Sequence, residues 1–344
     1  PEAELLAVMK HVRFATMAAG FLRETVGAWP ALGSAEAQRM LFNAVLPAAD
    51  GTKVVLRWGF GPRLIYVVGG LVTTTVVSKV ELYDPQAASW TQLAGMTNPR
   101  ASHGCVALEG KLYAVGGFDE EDRDLDTAEV YDPQTDGWQP LAKMSTARYA
   151  FGLATVGGKI YAIGGRVDGL TLDSVEAYDP QLGAWAPVVS MSVERSYHAS
   201  VVLDGKIYAM GGYGDYCDEL DTVEVYDPQA DSWQRVASMP QGRSQPAAAV
   251  IGGKIYVTGG FYQLATNSVC VYDPQTDAWT QLASMSTARH IHASAAVDGK
   301  LYVFGGYASG ERLDTTEVYD PALDSWAHAS NLTSGRHGLS AIAL

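Results

Sequence analysis

The sequence predicts a mostly-β molecule, a six-bladed ring of small antiparallel sheets of the β-propeller class, preceded by a short all-α segment. Three observations lead there. A Gly-Gly pair, a Tyr-Asp-Pro turn, a Trp and an Arg recur in that order six times, at intervals of 46 to 48 residues. Each period carries four short runs of strand-forming text separated by turn residues. A period of this length filled with strands marks a radial array of sheets and forbids a division into ordinary domains.

Taken in chain order, residues 1–48 are rich in Ala, Leu, Met and Glu with helical spacing. Glu4–Phe14 places Leu5, Val8, Met9 and Val12 on one face, and Gly20–Ala28 and Ser34–Val45 read as two further helices, the last opened by Ser34 as N-cap. Residues 49–61, with Gly51, Gly59 and Gly61, read as a linker, and 62–344 hold the repeats. Within one repeat, Ala150–Val156 is a first strand closed by Gly157-Gly158, and Lys159–Ile163 a second that stops at Gly164-Gly165. After a loop from Arg166 to Leu172, Ser174–Tyr178 is the third strand, ended by Asp179-Pro180 because proline cannot donate to a ladder. Trp185–Val189 is the fourth. The repeated Gly pairs supply positive φ where blades crowd, and the repeated Tyr and Trp fill the gaps between blades. Five third strands carry a Glu (Glu81, Glu129, Glu176, Glu224, Glu317) and the fifth carries Cys270 instead. With the repeated Arg100, Arg148, Arg195, Arg243, Arg289 and Arg336, these glutamates predict buried ion pairs that hold each blade in register.

These motifs resemble the kelch repeat: Tyr-x-x-Gly-Gly at Tyr161–Gly165, Val-Glu-x-Tyr-Asp-Pro at Val175–Pro180, then Trp, then Met-x-x-x-Arg at Met144–Arg148. The first copy lacks an Arg-led first strand, and Arg336 is followed only by residues 337–344. The last strand is therefore expected to pair with Leu64–Val68, so that both termini build one blade and no sheet edge is left open. Upstream, Leu5-Leu6, Val12-Arg13-Phe14, Met17, Phe21-Leu22, Val26 and Trp29-Pro30 with Ser34 resemble the C-terminal helices of a BACK domain. In BTB-BACK-kelch proteins that module stands immediately before the propeller.

The net charge of −14 argues against nucleic acid and against an anionic membrane surface as partners, and no apolar run is long enough to span a bilayer. The start does not read as a secretory signal, and three cysteines, Cys105, Cys217 and Cys270, fit a reducing compartment; the expected location is cytoplasmic. Without an initiator Met the sequence reads as a fragment of a longer protein. There is no nucleophile elbow and no phosphate loop, and Asn331-Leu332-Thr333 is a chance glycosylation match. His103, His198 and His292 follow alternate repeat arginines at the same address, but across a channel they stand too far apart for the short bonds of zinc, and no metal or other cofactor is expected. Cys217 lies among Asp215, Asp218 and Glu219, which oppose thiolate formation and a redox role. Kelch-type copper radical oxidases and sugar mutarotases are the enzymatic alternatives; no Tyr–Cys arrangement or isolated carboxylate pair supports them, and the chain is read as a non-enzyme.

Side chains that vary between copies at a fixed address carry the information, since the scaffold demands are common to all blades. After the Gly pairs stand Leu71, Phe118, Arg166, Tyr213, Phe261 and Tyr307; after the arginines stand Ala101, Tyr149, Ser196, Ser244, His290 and His337. In kelch substrate receptors these addresses ring one mouth, so the resemblance implies an aromatic floor with hydroxyl and imidazole donors around it. Asp119, Glu120 and Asp215 head acidic loops at that mouth, which predicts attraction of a net-basic peptide segment with an apolar or aromatic anchor. The function expected is protein–protein interaction, as the substrate-recognition domain of a cullin–RING ubiquitin-ligase adaptor. The cullin would be engaged only through domains this sequence lacks, and the fragment itself is expected to be monomeric. An actin-binding kelch protein is the competing reading.

Overall fold

The computed structural model describes residues 64–215 and 218–344, and the backbone of Val45–Pro47 and Lys53–Val55. The chain divides into two units, Pro1–Arg63 and Leu64–Leu344. In the first unit Val45–Pro47 pairs antiparallel with Lys53–Val55. This strand pair stands where the sequence predicts helix end and linker; β-branched Val45, Val54 and Val55 favour strand there. The helices expected at Glu4–Phe14 and Gly20–Ala28, and the rest of the linker, lie outside the described residues.

The second unit contains six four-stranded antiparallel sheets among the described residues. Blade 2 runs Gly104–Leu108, Lys111–Val115, Ala128–Asp132, Gly137–Pro140. Blade 3 runs Gly152–Val156, Lys159–Ile163, Val175–Asp179, Ala184–Val188. Blades 4, 5 and 6 repeat the pattern from Ala199–Leu203, Ala247–Ile251 and Ala293–Val297. In blade 1, Ser340–Ala343 pairs with Ile65–Val68, which is followed by Val80–Asp84 and Ser89–Leu93. The register is Ile65 with Ala343 and Val68 with Ser340. The first strand of each sheet neighbours the first strand of the next around the whole ring. These inner strands are rich in Ala, Ser and Gly, which lets six of them crowd the axis. The second strands, such as Lys159–Ile163, are buried on both faces after their first residue.

Two devices seal each blade to its neighbour. Large aromatic groups fill the wedge: Tyr226 of blade 4 meets Tyr161 of blade 3 at 5.7 Å between centroids, with Trp233 tilted against it at 5.1 Å. Each repeat tryptophan then donates its indole N–H to a backbone carbonyl of the preceding blade, for instance Trp233 to Val189 at 3.1 Å and Trp279 to Ala237 at 2.9 Å. The Gly pairs permit the close approach predicted for them. Gly116 has φ +61°, and a Cβ there would lie 2.5 Å from the Arg148 carbonyl oxygen.

The ion pairs foreseen between repeat Arg and Glu are present in five blades. Arg100, Arg148, Arg195 and Arg289 place Nη2 2.6–2.8 Å from Glu129, Glu176, Glu224 and Glu317, and Arg336 pairs with Glu81. Each arginine also donates through Nη1 to the carbonyl of the first glycine of the Gly pair that ends its blade's second strand, as Arg148 does to Gly164 at 2.8 Å. The carboxylate in turn accepts backbone N–H groups from the segment entering the blade, Ser145 N at 2.8 Å and Thr146 N at 3.2 Å for Glu176. Burial alone would raise the Glu129 carboxyl, but the bonds from Arg100 and Thr97 outweigh it and hold it below its ordinary value. Glu176→Ala leaves Arg148 buried and unpaired, so urea denaturation should show a loss of about 3–5 kcal/mol; a loss under about 1 kcal/mol would remove the pair from its structural role.

Candidate functional site

The residues that follow the repeat arginines and those that follow the Gly pairs meet each other within each blade. Tyr149 bridges Arg166, Ser196 bridges Tyr213, Ser244 bridges Phe261, His290 bridges Tyr307, Leu71 bridges His337, and Ala101 bridges Phe118. Since they precede the inner strands, these bridges surround one end of the central channel.

One residue further along, the backbone does something the sequence did not announce. Ser102, Ala150, Tyr197, Gln245 and Ile291 all adopt left-handed conformations (φ 50–57°), as does Gly338 at 62°. Their amides form a closed cycle: Ser102 N–H donates to Gly338 O (2.8 Å), Gly338 to Ile291 (3.0 Å), Ile291 to Gln245 (3.2 Å), Gln245 to Tyr197 (2.7 Å), Tyr197 to Ala150 (2.6 Å) and Ala150 to Ser102 (2.8 Å). The backbone N–H and C=O of all six residues are thereby paired without a sheet. The cycle carries a half-buried Tyr197 and Gln245 into the mouth, and the sequence reading missed both. Their only sequence signal was a third address as variable as the other two, with Gly338 as the one hint of positive φ.

Tyr197 joins the predicted aromatics into an arc. Ring centroids run Phe118–Tyr149 at 5.9 Å, Tyr149–Tyr197 at 6.2 Å and Tyr197–Tyr213 at 6.2 Å, all edge-to-face. A second arc runs Phe261–His290 at 5.3 Å, His290–Tyr307 at 5.7 Å and Tyr307–His337 at 5.4 Å. Gln245 touches it by accepting a hydrogen bond at Oε1 from His290 Nδ1, and Arg312 stands 5.8 Å over the Tyr307 ring. Burial, with Arg312 and His290 nearby, brings His337 down to about 4, and burial also lowers His290, so both imidazoles are neutral at pH 7.

Not every predicted residue faces the opening. Ser196 and Ser244 are fully buried: the Ser244 hydroxyl donates to Phe261 O at 3.4 Å, and Ser196 Oγ has no hydrogen-bond partner among the described residues. The Ser244 hydroxyl thus braces its own bridge to Phe261. Asp119 folds back on Arg123 Nε at 2.8 Å and on the amides of Glu121 and Arg123, so its charge is spent inside its own turn. Glu120 and Asp215 are exposed; Cys217 lies outside the described residues. Arg166 is half-buried and donates through Nε to Gly169 O at 3.1 Å. The loops between second and third strands of blades 2, 3 and 4 hold most of the acid, and that of blade 5, Phe261–Ser268, holds no charged residue at all.

Below the rim lies a cavity of about 160 Å³ on the axis, lined by His103, His198, Ser200, Ser294, Ser340 and Cys105 among others. Burial, reinforced by Arg100 and Arg195, brings His103 and His198 down to about 3, and burial pushes the Cys105 thiol up to about 12. The wall is therefore polar but uncharged. His103 and His292 are wedge fillers: a Cβ on Gly69 or Gly259 would meet their Cε1 atoms at 2.7 Å, as one on Gly116 would meet Phe151. Among the described residues no three His, Cys, Asp or Glu side chains converge as metal ligands would.

The family model of the KLHDC2/KLHL20/DRC7 Kelch-repeats domain matches residues 58–260, 147–289 and 238–343. The chain belongs to the kelch-repeat family. Rat Kelch-like protein 7 is 44% identical over 50 residues, 14% of this chain and 8% of that protein. Human Kelch-like protein 28 is 36% identical over 75 residues, 18% of this chain and 13% of that protein. The chain thus matches only 8–13% of the length of these curated relatives. The solved structure of YjhT superposes with a TM-score of 0.66 at 16% identity, covering 76% of this chain and 96% of that one, a likeness of fold alone.

The neutral histidines of the kelch channel make stability pH-dependent. Their folded pKa values are depressed, so the unfolded chain binds protons first as pH falls below about 6.5. Stability is complete above that value and falls as pH drops towards the folded pKa of about 3 for His198. His198→Gln should flatten the pH 6.5–5 limb of a urea-midpoint profile by about one proton; an unchanged slope would mean that His198 stays protonated in the fold.

Proposed function

We propose that this kelch propeller is a protein-interaction module that holds a short peptide segment of a protein substrate at the mouth ringed by Tyr197, and that it serves as the substrate-recognition domain of a cullin–RING ubiquitin-ligase adaptor. One observation carries the reading: the continuous arc Phe118–Tyr149–Tyr197–Tyr213 stands beside the acidic loops of blades 2–4. Rigid aromatic faces supply contact area at little entropic cost, and exposed Glu120 and Asp215 favour a basic ligand. The segment sought is net-basic with one apolar or aromatic anchor. Leu71, Phe261, Tyr307, His290 and His337 form the less charged side of the same mouth, with Arg166 at its edge.

The adaptor assignment is supported by the Kelch-like names of the similar proteins and by the BACK-like text of residues 1–48, with 49–61 as connector. The cullin is contacted through domains outside this sequence, the propeller itself is monomeric, and the protein works in the cytoplasm. Among the described residues no helix is long and apolar enough to cross a membrane. The neutral channel wall favours binding over catalysis.

We also propose that Ser340–Ala343 is the seal of the ring. Deleting residues 340–344 bares the edge of Ile65–Val68, and the shortened protein should unfold at lower urea and associate with rising concentration on a sizing column. Intact stability in that truncation would dismiss the seal.

Panning a random peptide library on the full chain tests the ligand. Enriched sequences should be net-basic, Tyr213→Ala and Tyr149→Ala should each weaken their binding about tenfold or more without lowering Tm, and affinity should fall as salt rises. Enrichment of acidic peptides, or binding indifferent to both substitutions, overturns the mouth as the site. Co-sedimentation of the full-length protein with F-actin, set against pull-down of cullin, separates the adaptor from a cytoskeletal protein.

A further inference from the structure

Blade 5 breaks the arginine rule in a coordinated way. Arg243 is as deeply buried as its counterparts, yet its hydrogen bonds run only to backbone carbonyls, Gly259 O at 3.1 Å and Ser268 O at 3.4 Å. In blades 2, 3, 4 and 6 the same two bonds are 2.7–2.9 and 3.0–3.2 Å, and a carboxylate closes the other side of the guanidinium. Cys270 holds the glutamate's place in register, facing Val257 as Glu176 faces Ala162. Its side chain is shorter by a whole carboxylate group, and burial pushes the thiol up to about 11, so it brings no charge.

Two further changes track this one. Pro240 stands where Thr97, Ser145, Ser192 and Ser286 donate a backbone N–H to the carboxylate. Proline has no N–H to give, so one donor has gone with the acceptor. Ser268 stands where Thr127, Ser174, Thr222 and Thr315 hold a hydroxyl 3.1–3.5 Å from Nη2, and its Oγ is buried with no partner in the chain. The Gln241 amide occupies the address from which Asn98, Thr146 and Thr287 donate to the second carboxylate oxygen. Three donors therefore stand at the addresses that face a negative charge in the sibling blades.

We propose that a small monovalent anion, of chloride or formate size, takes the carboxylate's place in blade 5, held by Arg243 Nη2, the Ser268 hydroxyl and the Gln241 amide. The chemistry sets both limits. One guanidinium offsets one negative charge, and the space released by Glu to Cys is three heavy atoms, too few for phosphate or sulfate. A buried cation left facing neutral groups would otherwise retain its desolvation cost uncompensated.

The test uses the whole chain. At fixed ionic strength, Tm measured in chloride against gluconate should rise saturably, by about 2–4 °C at tenfold excess over the half-saturating concentration. The same titration with formate distinguishes a halide site from a carboxylate site of the same charge. The variant P240T/C270E, which restores the sibling pair, should show no such rise. Crystals grown in bromide should give an anomalous peak within hydrogen-bond reach of Arg243. Equal chloride responses in the two proteins, or bromide crystals without that peak, overturn the proposal. Should the repaired variant fail to fold, Ser268→Ala serves instead: half-saturation should move upward severalfold, and an unmoved value counts against the site.

Discussion

Each blade of this ring is organised around a cation taken out of water. The repeat arginine reaches three things at once: the carbonyl of the Gly pair that ends the second strand, the glutamate of the third strand, and, through that glutamate, the amides of the segment arriving from the previous blade. A guanidinium suits this because its planar fork presents fixed donors in several directions. Taking it out of water is costly, and only a full set of acceptors offsets the cost. That requirement fixes the geometry: move the third strand by one residue and the glutamate points to the other side of the sheet. Alternative registers are thereby excluded more strongly than hydrophobic alternation alone would exclude them.

This explains which parts of the molecule were legible from sequence. Strands, turns, blade number and the Arg–Glu pairs follow from residues that every copy needs, so repetition displays them. Predicted Lys159–Ile163 coincides with the strand observed, and the third strand is displaced by one residue, Val175–Asp179 for Ser174–Tyr178. The rim cycle was not legible. Its six residues share a backbone conformation but no side-chain type, since a left-handed residue held by two neighbours' hydrogen bonds tolerates Tyr, Gln or Ile where a free turn would select glycine. Ser196 and Ser244 were misjudged as surface donors for a related reason. A variable address signals a lack of common scaffold demand, and a small buried hydroxyl satisfies that condition as well as an exposed one.

The mouth is two-sided. Its tyrosine-rich arc borders blades 2–4, whose loops carry most of the acid, while the imidazole-containing arc borders blades 5, 6 and 1, whose loops carry only two acids, Glu311 and Asp314. Part of the apparent charge is also internal, since Asp119 is bound to Arg123 within its own turn. In the proposed role, a basic ligand would be steered by that field to one half of the rim and would meet neutral hydrogen-bonding groups on the other. Such an arrangement can fix the direction of a bound chain as well as its composition.

Blade 5 shows how a repeat scaffold can depart from its own rule without losing the fold. Replacing Glu by Cys alone would strand an amide at position 240, leave a hydroxyl without a partner and leave the guanidinium with backbone carbonyls alone. Proline at 240 removes the first of these and leaves the other two in place. Had the aim been only to repair the loss, an apolar residue at 268 and at 243 would have completed the change, as well-packed hydrophobic replacements of buried ion pairs do at little cost. Retention of the arginine beside a buried hydroxyl is therefore the informative fact. It keeps the Gly259 carbonyl anchored, and it leaves this blade's guanidinium without the carboxylate partner of its siblings.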